Sequence, residues 1–137
     1  PTFISRDQMV ELMDETRRRF RLAGDAAGEF SIEIDPREAD AETVALLRRL
    51  GFNRMSLGVQ DFEPTVQQAV NRIQTEAETR TVIDAARSSG FVSVNADLIY
   101  GLPKQTVAGF SATLDNAADL FVRPALQGVL CPGMPSA

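Results

Sequence analysis

Eight polar residues recur at a spacing of two along three short stretches: Ser31, Glu33 and Asp35; Ser56 and, across Gly58, Gln60; Ser93, Asn95 and Asp97. A period of two places such residues on one face of a β-strand. Their types suit binding. The carboxylates fit ribose hydroxyls or an ammonium group, and Gln60 fits a purine or carboxylate edge. Other chemistry is excluded by composition. The 137 residues include no histidine, so no Ser-His-Asp triad, His-carboxylate base or His metal site can lie within this chain. Cys131 is the one cysteine, which excludes an intrachain disulfide and a Cys-rich metal or iron–sulfur site built from this chain alone. Hydrolytic chemistry finds no support.

The charge balance narrows the partners. Nineteen acids against fourteen bases give a net charge of −5, which argues against nucleic-acid binding through phosphate neutralisation. The local cluster Arg17, Arg18, Arg19 and Arg21 reads as the solvated face and end of a helix. No apolar run approaches the roughly 18 residues of a membrane span, and the N-terminus lacks a signal-peptide pattern. One unpaired thiol fits a reducing compartment. A soluble, cytoplasmic protein with no membrane partner is expected.

The elements that must carry the polar faces follow from periodicity. Ser5 with Gln8 forms a capping box, and Met9, Leu12, Met13, Thr16 and Phe20 continue at helical spacing. Phe30 to Asp35 alternates as a strand, with Phe30, Ile32 and Ile34 opposite the polar set; Pro36 ends it. Asp40 caps a helix with the stripe Val44, Leu47 and Leu50, stopped at Gly51. Arg54 to Gln60 is the second strand, with Met55, Leu57 and Val59 on one face. Pro64 opens a short helix with Val66, Val70 and Ile73 on one side. Thr75 with Glu78 is a second capping box, opening a helix to Gly90. Val92 to Ile99 is the third strand, and a last helix runs from about Val107 to Leu120. Residues 121–137 show no clear period.

Strands separated by helices imply parallel pairing with right-handed crossovers. Parallel strands ordinarily read as continuous apolar runs because both faces are dry. These three each keep a polar face, which in a curved sheet looks into a lumen. Such a lumen is wet or holds a polar ligand, because buried unpaired carboxylates are costly. Glu33, Asp35, Gln60 and Asp97 also sit late in their strands, where α/β folds place ligands. The alternative is a half-exposed sheet with a merely solvated face. Gly58 is either a bulge or a place where a ligand nears the backbone. Gly101 reads as a turn, and Arg72 as a contact to a helix C-terminus.

Five ordered segments carry a resemblance. Ser31-Ile32-Glu33-Ile34-Asp35-Pro36-Arg37-Glu38, Gly51-Phe52-Asn53-Arg54, Ser56-Leu57-Gly58-Val59-Gln60-Asp61-Phe62, Val70-Asn71-Arg72-Ile73-Gln74 and Asp97 through Thr106 resemble the oxygen-independent coproporphyrinogen III oxidases, which are radical S-adenosylmethionine (SAM) enzymes. The match is collinear from Pro1 to about Leu120. The related haem-chaperone radical SAM proteins share Gly58-Val59-Gln60 and Gly101-Leu102-Pro103. They typically carry Asn-Pro at Asp35-Pro36 and Ser at Asp61, so the oxidase is the first reading and the haem-binding chaperone the alternative. A free-standing α/β binding module for another ligand is a third.

The resemblance implies an α/β fold: part of an open (β/α)6 partial barrel, with about three parallel strands and flanking helices over 1–120 and a divergent, irregular tail over 121–137. It implies a [4Fe-4S] cluster, whose cysteine ligands lie outside this chain, and two SAM molecules in one pocket. Glu33 is implied to contact the cluster-bound SAM, and Gln60, Arg72 and Asp97 the second SAM. The implied reaction is oxidative decarboxylation of two propionates of coproporphyrinogen III to vinyl groups, giving protoporphyrinogen IX in haem biosynthesis. An electron donor, unidentified by the sequence, starts it. No catalytic residue and no metal ligand within the chain is implied. Pro1-Thr2-Phe3 resembles the end of the family's Gly-Gly-Gly-Thr-Pro-Thr stretch, and the family's cysteine triplet lies upstream of it. The chain therefore reads as an internal segment of a larger enzyme, inactive by itself. Cys131 falls in the divergent tail and is not expected to bind the cluster.

Overall fold

A computed structural model describes residues 4–24 and 28–122 of the chain. Pro1-Thr2-Phe3, Cys131 and all of the tail from 123 onward lie outside the described residues. Helix α1 (Arg6–Arg19) precedes strand β1 (Ser31–Ile34), a 3-10 turn (Pro36–Glu38) and helix α2 (Ala41–Arg49). Strand β2 (Arg54–Gln60), the short helix α3 (Pro64–Ala69) and helix α4 (Glu76–Ser88) follow. Strand β3 (Ser93–Leu98) and helix α5 (Val107–Ala117) complete the order. The last helical turn, Ala118–Val122, widens to a π-helix rather than ending as α-helix at Leu120.

The three strands form one parallel sheet in the order β1-β2-β3. Each parallel step needs a helical crossover, which α2 supplies between β1 and β2, and α3 with α4 between β2 and β3. Local chemistry sets the helix starts. Both capping boxes form: the Ser5 hydroxyl accepts from the Gln8 N–H and the Thr75 hydroxyl from the Glu78 N–H, and each N3 side chain returns a bond to the cap backbone. Asp40 caps α2 by accepting from the Thr43 N–H at 2.8 Å, and Gly51 beyond its end takes a φ of 96°, which glycine reaches without steric cost.

One face of the sheet is dry. Ile32, Ile34, Met55, Leu57 and Val59 are buried against Met9 and Met13 of α1, Val44 and Leu47 of α2, and Val82, Ile83 and Ala86 of α4. Val94, Ala96 and Leu98 of β3 are only partly buried and pack at the margin of this core. Helices α1, α2 and α4 lie against this face, and Glu33, Asn95 and Asp97 on the other side of the strands are exposed.

Some sequence expectations need correction. Leu12 and Phe20, placed on the apolar stripe of α1, are exposed at 53% and 64%. Ile73, expected beside Val66 and Val70, is exposed at 56%, because α3 stops at Ala69 and Asn71 turns the chain with a φ of 53°. β1 and β3 are each one residue shorter at both ends than the alternation suggests. At β1, Asp35 leaves the ladder to cap the 3-10 turn by accepting from the Arg37 N–H. At β3, Val92 and Ile99 still donate their N–H groups to Asn53 O and Gln60 O. The arginines at the end of α1 pair with Asp14 and Glu15, as a solvated helix face should. No helix of the described residues is long and apolar enough to cross a membrane.

Candidate functional site

The strand register gathers the polar residues. Glu33 stands beside Ser56, Ser56 beside Asn95, and Gly58 beside Asp97. Neighbouring residues in a parallel ladder project from the same face, so Glu33, Ser56, Asn95 and Asp97 share the face opposite the core. The Ser56 hydroxyl donates to Asp97 Oδ2 at 2.6 Å, which ties the β3 carboxylate to the middle strand. Glu33, Asn95 and Asp97 are exposed.

Gly58 is the centre of the arrangement. A Cβ placed on it would stand 3.0 Å from Gln60 Nε2, 3.1 Å from Arg72 Nη2 and 3.9 Å from Glu33 Oε1. Three candidate residues from β1, β2 and the segment after α3 therefore converge on a notch that exists because residue 58 lacks a side chain. The ladder also shifts register between Gly58 and Gln60, so that Gln60 stands opposite Leu98. Both sequence alternatives for Gly58, a bulge and a close approach, thus apply to the same position. Gln60 itself has a φ of 67°. It is the central residue between Val59 O and the Asp61 N–H, which bond at 2.9 Å. This is the positive-φ form of the γ-turn, the rare and strained one, and costs on the order of 1–3 kcal/mol for a residue that is not glycine.

Arg72 does not cap a helix with its side chain. Its guanidinium reaches the sheet, where Nη2 donates to Gly58 O at 2.9 Å and pairs with Asp35 Oδ2 at 3.1 Å. Its Nε is buried and lacks a hydrogen-bond partner. Arg37 grips the same Asp35 carboxylate, with Nη2 2.7 Å from Oδ2. Burial pushes the Asp35 carboxyl up, but the hydrogen bonds from Arg37 and the charge of Arg72 outweigh it and hold the group below its usual range. A fixed guanidinium beside two carboxylates and a carboxamide is a surface for a ligand carrying both charges.

The polar-face parity placed Glu33, Gln60 and Asp97 among the candidate site residues, and the family resemblance added Arg72. Glu33, Gln60 and Arg72 meet at Gly58, and Asp97 lies beside Gly58 on β3. Neither foresaw that Asp35 anchors Arg72, nor the contacts of Asp61. That carboxylate is 1% exposed. Asp61 accepts from the Thr113 hydroxyl at 2.5 Å, from Gln105 Nε2 at 2.5 Å and from the Glu63 N–H at 2.8 Å. Parity had placed Asp35 on the polar face but not its bond to Arg72; Gln105 and Thr113 stand 44 and 52 residues from Asp61, and no local spacing carries that pairing. No group of His, Cys, Asp and Glu among the described residues is arranged to hold a metal ion.

Residues 3–117 match the family model of the Radical SAM superfamily. The chain belongs to the Radical SAM superfamily. Within it, the chain is 57% identical over 120 residues to the oxygen-independent coproporphyrinogen III oxidase of Pseudomonas aeruginosa and 48% identical to that of Escherichia coli. Both alignments take in 88% of this chain and 26% of the relative, so the chain spans about a quarter of the length of these curated radical SAM proteins. The solved structure of coproporphyrinogen III oxidase from Escherichia coli, described as a Radical SAM enzyme, superposes with a TM-score of 0.82 at 47% identity, covering 88% of this chain and 27% of that one. A radical SAM methyltransferase from Kitasatospora setae superposes at 0.65 with 16% identity and covers 84% of this chain and 22% of its own. At that identity the likeness concerns the radical SAM fold alone. Three parallel strands with flanking helices are a part of that fold, as the resemblance implied.

Proposed function

We propose that this chain is the part of an oxygen-independent coproporphyrinogen III oxidase that binds SAM. The notch at Gly58 carries the reading, because Glu33, Gln60 and Arg72 surround a space that a single methyl group would fill. Those residue types fit SAM. The Arg72 guanidinium, braced by Asp35, suits a carboxylate held by two parallel hydrogen bonds. Glu33 and Asp97 accept from an ammonium or from ribose hydroxyls, and Gln60 offers both a donor and an acceptor to a purine or carboxylate edge. The buried Nε of Arg72 is a donor still to be satisfied. Room for two SAM molecules, with Glu33 serving one and Gln60, Arg72 and Asp97 the other, belongs to the same proposal.

In the whole enzyme, SAM and a [4Fe-4S] cluster supply, when bound, the hydrogen-abstracting power that oxidative decarboxylation of two propionates of coproporphyrinogen III requires. This chain's residues bind and orient. The carboxylates and Arg72 fix both ends of a zwitterionic amino-acid group, and the dry face behind the strands keeps those side chains in place. The cluster's cysteine ligands lie outside this chain, and the electron enters from a donor of unidentified kind. Haem biosynthesis in the cytoplasm, without nucleic acid or membrane as partner, completes the reading. Asp35 and Asp61, which separate the oxidase pattern from the haem-chaperone pattern, both make specific contacts here.

A full-length protein carrying this segment, reconstituted anaerobically with iron and sulfide, tests it. Given SAM and a one-electron reductant, it should release CO2 and convert coproporphyrinogen III to protoporphyrinogen IX. Retention of haem without turnover would place it with the haem chaperones. Failure to bind SAM in equilibrium dialysis would mark an α/β binding module for another ligand.

A further inference from the structure

The strained turn at Gln60 is closed into a ring. Asp61, next in the chain, accepts at Oδ2 from Gln105 Nε2 at 2.5 Å. The same Gln105 nitrogen donates to Ile99 O at 2.9 Å, and the Ile99 N–H donates back to Gln60 O at 3.0 Å. The circuit runs Gln60, Asp61, Gln105, Ile99 and returns to Gln60. Gln105 also faces the other way: its Oε1 accepts from the Gly101 N–H at 2.6 Å and the Leu102 N–H at 3.3 Å. One carboxamide, using both donor hydrogens and its acceptor oxygen, thus fixes the loop after β3 to the turn after β2. Thr113 reaches Asp61 from α5 but stands outside the ring.

We propose that Asp61 and Gln105 are positioning residues for Gln60: the ring holds the Gln60 γ-turn that folds the Gln60 carboxamide over Gly58. The proposal rests on the SAM-binding reading above. Backbone strain of this kind persists only where surrounding contacts over-determine it, and the ring supplies those contacts. With Gln105 released, Gln60 relaxes to an ordinary extended conformation. Its amide then leaves the notch, while α5 stays tied to Asp61 through Thr113. A purely structural role would make α5 docking and ligand affinity fall together.

Three variants in a full-length protein carrying this segment separate these cases, with SAM affinity read by equilibrium dialysis and folding by thermal melts. Gln105→Glu sets a carboxylate against Asp61 and Ile99 O. It should weaken SAM binding and raise the SAM KM by about tenfold, with kcat at saturating SAM within about threefold of the parent. Thr113→Val removes both bonds of the α5 hydroxyl, to Asp61 and from the Phe62 N–H, and leaves the ring itself closed; it should lower the melting temperature and leave SAM affinity unchanged. Asp61→Asn with Gln105→Glu restores the link between residues 61 and 105 with its donor direction reversed but leaves Ile99 O without its donor, so it should recover part of the lost affinity and not all of it. The double variant also guards against a single variant that fails to fold. Unchanged SAM binding in folded Gln105→Glu overturns the proposal. So does an equal loss of affinity in Thr113→Val, or a double variant no better than Gln105→Glu. If the parent protein itself fails to bind SAM, the SAM-binding reading fails and takes this inference with it.

Discussion

On one side of the sheet Ile34, Met55, Leu57 and Val59 are at most 1% exposed and lie beneath α1, α2 and α4. On the other, Glu33, Asn95 and Asp97 open to solvent, and Arg72 crosses from beyond α3 to reach Asp35 and Gly58. The same strands make both faces, so the contrast is written in alternate residues. The apolar side fixes where the strands sit, and the polar side uses that fixed spacing to bring charges from separate elements together. Parallel strands buried on both faces would have no reason to alternate. The alternation therefore marks a sheet whose second face stays polar, the face proposed above to take SAM. A slip of one residue would exchange the faces, which makes the core the guarantor of the site's register.

Removing a core side chain should give the largest effect. Leu47→Ala, at a position 2% exposed, is expected to destabilise the fold by about 2–5 kcal/mol, because it removes buried surface and leaves a cavity. Denaturant unfolding measures the loss, and the protein that remains folded should bind SAM as the parent does. Reduced affinity in the folded fraction would show that the two faces are not separable.

Next comes Arg72→Lys. An ammonium cannot reproduce the two parallel bonds of a guanidinium, so SAM affinity should fall about tenfold or more, with an unchanged cluster spectrum and an unchanged unfolding midpoint. Asp35→Asn is expected to act in the same direction but more weakly, a loss of about threefold, because it loosens Arg72 without removing it. Dialysis against SAM resolves both, and a stability loss without an affinity loss would assign the pair to the fold.

The smallest effect concerns a helix start far from the polar face. The Thr43 N–H and hydroxyl, followed by Arg6, hold the Asp40 carboxyl down at about 2. A depressed carboxyl stabilises the fold above its unfolded value and loses that contribution as the pH falls through the folded value. Asp40→Ala should therefore cost about 1 kcal/mol near neutrality. The difference from the parent should fade between about pH 4 and pH 2, as seen in unfolding midpoints across that range. SAM binding should not change.

Much of this was legible in the sequence because it is local. Ser5 with Gln8 and Thr75 with Glu78 are satisfied within one turn, so spacing alone fixes them. β2 runs between the residues that alternation marks, Arg54 and Gln60, since every second residue faces the core. Leu12 and Phe20 misled because helical spacing shows that two residues share a face and not that the face is covered. The site was legible in its parity and not in its bonds. Glu33, Gln60 and Asp97 could be placed on one side, but that Arg72 reaches Gly58 O, or that Gln105 seeks Asp61, depends on chain crossings between distant segments. The positive φ of Gln60 was equally hidden, because glutamine carries no local preference for it and only the surrounding bonds impose it.

The notch at Gly58 offers the most direct test. Gly58→Ala puts a methyl group 3.0 Å from Gln60 Nε2 and 3.1 Å from Arg72 Nη2, so that these two side-chain ends must each give way by a few tenths of an ångström. Folding stability should stay within about 1 kcal/mol of the parent. SAM affinity, measured by equilibrium dialysis on the full-length protein, should fall by about tenfold or more because the carboxamide and guanidinium no longer converge. Parent-like SAM affinity in a folded Gly58→Ala protein would contradict the assignment of the polar face as the SAM-binding surface.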